Sequence, residues 1–250
     1  MIASLPMYDR PETSAALDRF WAVIAAKLRA DGVDAPDQLT RDGDLWEHWE
    51  SPDLLLSQTC GLPYRARLHG KAQIVAVLDH GLEGCPPGHY ASKIVVRKAD
   101  EDTAPEAWRQ KRMAFNELRS QSGWAAMLNH AADLGTDFAS ATEMGSHIEA
   151  SRAVAEGRAD IACIDAQTWR MISAYDPWAN DLQVIDQTVP TPGLPLITAI
   201  HRNADQVAAI HAAVVSAVKA MADDDRAQLN IRDVVDVPAD DYLAVPTPQA

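Results

Sequence analysis

Short apolar segments alternate with amphipathic segments along most of this chain, and that order limits the folds open to it. The apolar runs are continuous, which is typical of strands covered on both faces; they lie at 2–5, 53–57, 73–78, 92–97, 112–115, 159–164 and 196–200. Apolar residues at three- and four-residue spacing predict helices over 17–28, 123–132, 146–155, 166–174 and 204–221. Repeated strand–helix units predict an α/β fold with a mainly parallel sheet and helices on both faces.

The charge balance excludes some partners. The chain has 22 basic and 36 acidic residues, giving a net charge of -14 over 250 residues. Nucleic acid and anionic membrane surfaces need a positive footprint, so neither is expected as a partner. A small anion stays compatible, because clustered N–H groups act at short range. The length suits one large domain or two smaller lobes.

Cysteine usage and the N-terminal residues bear on compartment and cofactors. Cys60, Cys85 and Cys163 are far apart in sequence, so we expect reduced thiols. No signal peptide or membrane span is recognisable, which predicts a soluble cytoplasmic protein, or a periplasmic one if a signal was removed. Cys85 and His89 lack a second ligand pair for a metal. No nucleotide-binding or hydrolase motif is present, so no metal and no cofactor are predicted.

The strongest local signal is the segment 116–124, where a strand ends, hydroxyl residues and a glycine follow, and a helix begins. Ser120 or Ser122 can cap that helix. Its first free N–H groups would point beyond the strand, as in an anion cradle. The alternative is that Ser122 only caps the helix.

Three other segments follow the same logic. His147 would stand in the first turn of a helix, where its neutral form is favoured and where it could donate to an oxyanion; it could also be merely packed. Asp165 ends a strand before a helix, so it is a candidate ligand contact and equally a helix cap. Ser57 and Thr59 place hydroxyls at a strand end in the first half.

Taken together, these segments resemble the phosphate/phosphonate-binding (PhnD-like) branch of the type II periplasmic binding protein family, whose members serve as receptors for ABC importers. The matching stretches run in family order, and they are 3–8, 56–61, 90–97, 120–123, 145–147 and 153–162. The resemblance implies two α/β lobes joined by a two-strand hinge, with a small ligand held in the cleft. It places lobe 1 at residues 1–92 plus 197–250 and lobe 2 at 93–196.

The resemblance also implies the site. Ser120, Gln121 and Ser122 match the anion-binding turn of the family, and His147 matches its ligand-contacting histidine. Tyr8 and Tyr90 match aromatic positions that line the cleft, and Asp165 falls near a polar contact. With Ser57 and Thr59, these residues form the predicted ligand-binding set, in which no residue is catalytic.

The leading hypothesis is therefore a solute-binding protein for a small polar or anionic ligand, phosphate- or phosphonate-like, with an ABC permease as a possible partner. One alternative is an enzyme on the same fold, in which His147, Asp165 and Cys163 would converge. Another is a cytoplasmic ligand sensor. The absence of a nucleophile–base–orienter pattern favours binding over catalysis.

Overall fold

The computed structural model describes residues 1–100 and 103–248. Its strands are β1 Ile2–Ser4, β2 Leu54–Gln58, β3 Ala72–Asp79, β4 His89–Tyr90, β5 Ser92–Arg97, β6 Arg112–Phe115, β7 Ser140–Glu143, β8 Ile161–Asp165, β9 Leu182–Gln187, β10 Thr191–Pro192, β11 Pro195–Ala199 and β12 Asp233–Val235. Its α-helices are α1 Ser14–Ala30, α2 Leu45–Trp49, α3 Gly61–Pro63, α4 Ala126–Asp133, α5 His147–Ala155, α6 Ala166–Tyr175, α7 Ala204–Ala220, α8 Asp223–Leu229 and α9 Ala239–Leu243. Short 3₁₀ or π turns cover Pro6–Tyr8, Tyr64–Leu68, Pro105–Gln110, Gln121–Ala125 and Pro177–Asp181.

The chain forms two compact units. Unit 1 is Met1–Gly81 with Pro192–Leu243, and unit 2 is Leu82–Thr191 with the residues from Ala244 onward. The chain passes between the units at 81/82, 191/192 and 243/244; the lobe boundaries were predicted at 92/93 and 196/197. The C-terminal segment was predicted in lobe 1, yet the side chain of Asn129 in unit 2 donates to the carbonyl of Pro246 (3.0 Å). Residues 101, 102, 249 and 250 of the predicted lobes lie outside the described residues.

Unit 1 is built on a five-stranded sheet of order β1-β2-β11-β3-β12. On one face α1 and α7 pack with buried side chains such as Phe20, Trp21 and Val214. A second cluster includes Trp49, Tyr64 and Tyr242. Apolar cover on both faces is the reason why Leu54–Leu56 form a continuous buried run rather than an alternating one.

Unit 2 is built on a second five-stranded sheet, of order β7-β6-β8-β5-β9. Side chains of β5 alternate between two cores. Val95 packs with Val154 and Ile172 on one face, whereas Ile94 and Val96 pack in the cluster of Trp108 and Met127 on the other. The sheet thus has two apolar faces, and its α/β architecture is the predicted one.

The strand directions correct one expectation. A mainly parallel sheet was predicted, but β11 runs antiparallel to β2 and β3, and β5 runs antiparallel to β8 and β9. Parallel pairing is seen between β1 and β2 and between β6 and its neighbours β7 and β8. β5 and β11 each lie just after a crossing between units, so neither follows the helical crossover that makes neighbouring strands parallel.

Among the helices of the described residues, none has the length and apolar character needed to cross a membrane.

Asp160 joins β5, β6 and β8 at one end of this sheet. Its carboxylate accepts hydrogen bonds from the guanidinium groups of Arg112 (2.9 Å) and Arg97 (3.0 Å) and from the main-chain N–H of Arg112 (2.9 Å). The Arg112 guanidinium holds the pKa of this carboxyl well below its usual range, with Arg97 acting in the same direction.

We expect Asp160→Asn to lower the free energy of unfolding by about 1–3 kcal/mol at pH 7, because the arginines lose a charged acceptor. A depressed carboxyl pKa stabilises the fold above the unfolded-state value near ~4, and that stabilisation is lost as pH falls below it. Urea unfolding at pH 7 and at pH 3 should therefore show a difference that shrinks in acid. Glu156→Gln is the control, because its partner Arg158 is exposed. If this variant lost as much free energy of unfolding as Asp160→Asn, the special contribution of Asp160 would be contradicted.

Candidate functional site

The turn that follows β6 is the centre of the candidate site in unit 2. Ser120 is the N-cap of the helical segment that runs from Gln121 through α4, and its Oγ accepts the N–H of Gly123 (3.0 Å). The sequence allowed either Ser120 or Ser122 as the cap. Since Ser120 takes that role, the hydroxyl of Ser122 is left for another partner.

That partner is His147. Ser146 caps α5 by accepting the N–H of Glu149 (3.1 Å), so His147 is the first helical residue, as predicted. Its Nε2 lies 2.8 Å from the Ser122 Oγ, which in turn lies 3.4 Å from the Ser120 Oγ. The structure thus brings Ser120, Ser122 and His147 into one hydrogen-bonded cluster, although they are up to 27 positions apart in the sequence.

Burial sets the charge of this cluster. It lowers the pKa of His147 to about 4, and the main-chain carbonyl of Cys163 opposes that fall only in part. The ring is therefore neutral at physiological pH and can donate only one hydrogen. Nδ1 is buried and has no partner of normal hydrogen-bond geometry among the described residues.

Gly123 allows these groups to approach one another. A Cβ built on it would collide with the Asn116 Oδ1 and would lie 3.0 Å from the His147 Cε1. Asn116 follows β6, and its carbonyl accepts the N–H of Gly145 just ahead of α5 (2.8 Å). Its Oδ1 is buried without a hydrogen-bond partner in the described residues. The sequence analysis did not select Asn116; its one signal was a polar residue at a strand end.

Three other predicted residues lie in unit 2. Asp165 is buried and caps α6 by accepting the N–H of Thr168 (2.7 Å), which is the structural role that its sequence context allowed. Tyr90 is a buried residue of β4, and Gln121 is buried in the turn itself. A ligand role for each stays a prediction.

Tyr8, Ser57 and Thr59 lie in unit 1. The Ser57 hydroxyl is fully buried and lies 2.6 Å from the Ser4 hydroxyl, so it has a structural partner. The Tyr8 ring meets His80 edge-on, with ring centres 5.0 Å apart. The Thr59 Oγ1 is buried and has no hydrogen-bond partner within the described chain. A ligand role for each of the three stays a prediction.

Unit 1 also contains a cavity of about 420 Å³ beside the loop that carries Tyr8. Its lining includes Leu5, Pro6, Arg41 and His48. His48 is 9% exposed, and its Nδ1 is buried without a partner among the described residues. The sequence analysis did not single out His48.

The chemistry available to the cluster is binding rather than acid–base work. Cys163 is fully buried, and burial raises the pKa of its thiol to about 12, so it is a poor nucleophile. Ser122 and His147 have the spacing of a nucleophile and its base. However, no carboxylate orients the ring among the described residues, and a base with a pKa near 4 is too weak at neutral pH. No group of metal-ligating side chains is found in the described ranges.

Comparison with known proteins identifies relatives. A sequence model of the family described as "ABC transporter, phosphonate, periplasmic substrate-binding protein" matches residues 4–242. No curated protein sequence matches the chain. Three solved structures share the fold: XAC2383 from Xanthomonas citri bound to chloride (11% identity, 97% of this chain and 96% of that one, TM-score 0.74), PhnD1 from Prochlorococcus marinus with methylphosphonate (16%, 96% and 94%, 0.72), and a phosphonate-transporter binding protein, PA3383, from Pseudomonas aeruginosa (16%, 97% and 82%, 0.71).

The close approach at Gly123 gives a stability prediction. Gly→Ala inside a helical segment ordinarily stabilises by up to ~1 kcal/mol, but here we expect Gly123→Ala to destabilise by about 1–3 kcal/mol through overpacking. In an Asn116→Ala background most of that cost should disappear, because the colliding oxygen is gone. Chemical denaturation of the wild type, both single variants and the double variant measures these free energies of unfolding. If Gly123→Ala destabilises both backgrounds equally, Asn116 is not the group with which the new Cβ collides.

Proposed function

Because the chain belongs to the family of periplasmic substrate-binding proteins of phosphonate ABC transporters, we propose that its ligand is a small oxyanion of the phosphonate or phosphate class. Members of this family are receptors that bind a small ligand for import through an ABC permease. The binding residues in unit 2 are the turn Ser120, Gln121, Ser122 and Gly123 together with His147.

The observation that carries the proposal is the cluster of hydrogen-bonding groups on this turn. The first N–H groups of a helical segment have no partner within the helix, and here they begin at Gln121, directly after the cap. The Ser122 hydroxyl and the His147 ring lie beside them, 2.8 Å apart. Such an arrangement of hydroxyls, imidazole and main-chain N–H groups is suited to the oxygens of a tetrahedral anion.

The strongly negative net charge does not oppose an anionic ligand at this position. Exposed charges farther away than about 10 Å are screened at ordinary ionic strength, whereas hydrogen bonds act at contact distance. The acidic residues nearest in sequence are engaged elsewhere, since Glu117 pairs with Arg119 and Glu149 with Arg152. The similar structures with methylphosphonate and with chloride both contain anions, which supports an anion for this chain.

The remaining predicted contacts are part of the same proposal. In unit 1 we include Thr59 for its buried, unpartnered hydroxyl, and Tyr8 as an aromatic neighbour of His80. Ser57 is also included, with its hydroxyl already paired to that of Ser4. In unit 2, Tyr90 and Asp165 are the further candidates.

The test is binding of defined anions to the wild type and to a Ser122→Ala/His147→Ala variant. We expect inorganic phosphate or methylphosphonate to raise the melting temperature of the wild type, since a ligand at 100 times its Kd adds about 2.7 kcal/mol. Hydrogen bonds to a charged group contribute about 1.5–3 kcal/mol each, so the double variant should bind at least about tenfold more weakly by calorimetry.

Ser140→Ala is the matched control, because its hydroxyl belongs to an exposed residue of β7 in the same unit. It should bind like the wild type. Unchanged affinity in the double variant would remove these residues from the site. A melting shift with malate or arginine, and none with any phosphorus oxyanion or sulfate, would overturn the proposed ligand class.

A further inference from the structure

The His147 ring has two polar neighbours at this turn. The Ser122 hydroxyl lies 2.8 Å from its Nε2. The Asn116 side chain and the His147 Cε1, the ring carbon bonded to both nitrogens, approach the same point beside the Gly123 Cα. Both the Asn116 Oδ1 and the His147 Nδ1 are buried without hydrogen-bond partners among the described residues. A buried, unpaired oxygen therefore lies near the ring without being hydrogen-bonded to it.

The surroundings of the ring select its tautomer. The main-chain carbonyl of Cys163 acts on the ring as a hydrogen-bond acceptor. Because Nε2 faces Ser122 and a neutral imidazole carries one hydrogen, this carbonyl favours placing that hydrogen on Nδ1. Nε2 then accepts the hydrogen of Ser122, and the Ser122 oxygen offers only lone pairs to a ligand.

In that state the main-chain N–H groups are the only donors that the turn offers to an anion. A second proton on the ring changes the contact with Ser122: Nε2–H becomes a donor, and the Ser122 hydrogen is released toward the ligand. The partial negative charge of the nearby Asn116 oxygen favours the positively charged ring. We propose that Asn116 is the positioning residue for His147, and that an oxyanion binds this turn together with one proton, taken up from solvent onto the ring. This inference rests on the oxyanion ligand proposed above.

Charged groups on the surrounding elements do not already favour the protonated form of the His147 ring. These groups are Glu117 and Arg119 ahead of the turn, Glu149 on α5, and Cys163 and Asp165 on β8. Glu117 is paired with Arg119 and Glu149 with Arg152. Asp165 caps α6, and the Cys163 thiol, with its pKa raised to about 12 by burial, is uncharged. The low pKa of His147 follows from burial and is opposed by the Cys163 carbonyl, so the ligand brings the negative charge that favours the protonated ring.

The first test is proton uptake on binding. Calorimetry of methylphosphonate binding at pH 6, in two buffers of different ionisation enthalpy, gives the number of protons taken up. We expect the wild type to take up roughly half a proton or more beyond His147→Gln, a comparison that cancels protonation of the ligand itself. His130→Gln is the control, because His130 in the same unit bonds Asp186 (2.8 Å) instead, and it should match the wild type.

The second test is the pH dependence of the affinity, which shows whether protons are taken up or released on binding. Above the free pKa of about 4, the wild-type affinity should weaken as pH rises, by up to about tenfold per pH unit until the pKa of the bound state is reached. His147→Gln should show only the ligand's own titration. Asn116→Leu should move the midpoint of the wild-type profile to lower pH, whereas Asn116→Asp should protonate the ring before binding and abolish uptake at pH 6.

A spectroscopic measurement covers the case in which an Asn116 variant fails to fold. Nitrogen chemical shifts of the His147 ring in the ligand-free wild type at pH 7 should show hydrogen on Nδ1, and the bound form at pH 6 should show hydrogen on both nitrogens. Binding of methylphosphonate or phosphate without extra uptake, or hydrogen on Nε2 in the free protein, overturns this inference and leaves the proposed function standing. No binding of any oxyanion at any pH overturns both.

Discussion

The close approach of three chain segments at Gly123 is the constraint on which the candidate site depends. The turn after β6, the residue that directly follows this strand and the first residue of α5 meet where any Cβ would collide. Because position 123 has no side chain, Asn116 and His147 can both pack against the turn that carries Ser122. A glycine that reads as a helix-start residue in the sequence is thus the contact point of two elements.

Much of the fold was predictable because it depends on local patterns. Continuous apolar runs identified β2, β3, β5, β6 and β8, and helical spacing identified α1, α4, α5, α6 and α7, each within a few residues. β7 and β9 were not predicted, because their exposed or partly exposed residues lack an apolar run. Strand direction depends on which chain segment enters each sheet, and that information is not local.

In the candidate site, too, local features were predictable and non-local ones were not. Ser120, Ser122 and His147 could be selected individually, since each stands at a helix start and helix starts have local signatures. Their meeting could not be derived from spacing, because it depends on β6 and β7 being neighbours in the sheet. The role of Asn116 could not be derived from its position at a strand end, because its buried, unpartnered oxygen is a property of packing.

The neutral state of the cluster suggests how an acidic protein can bind an anion selectively. A permanently charged arginine in this position would attract any anion and would require an acidic partner when no ligand is bound. A buried imidazole needs no such partner, because it is neutral until a ligand arrives. If protonation accompanies binding, the positive charge exists only while an anion neutralises it. A neutral ligand of the same shape would leave the ring uncharged, and the Ser122 oxygen would offer it only lone pairs. The preference for anionic over neutral ligands would then come from the proton that the ring takes up.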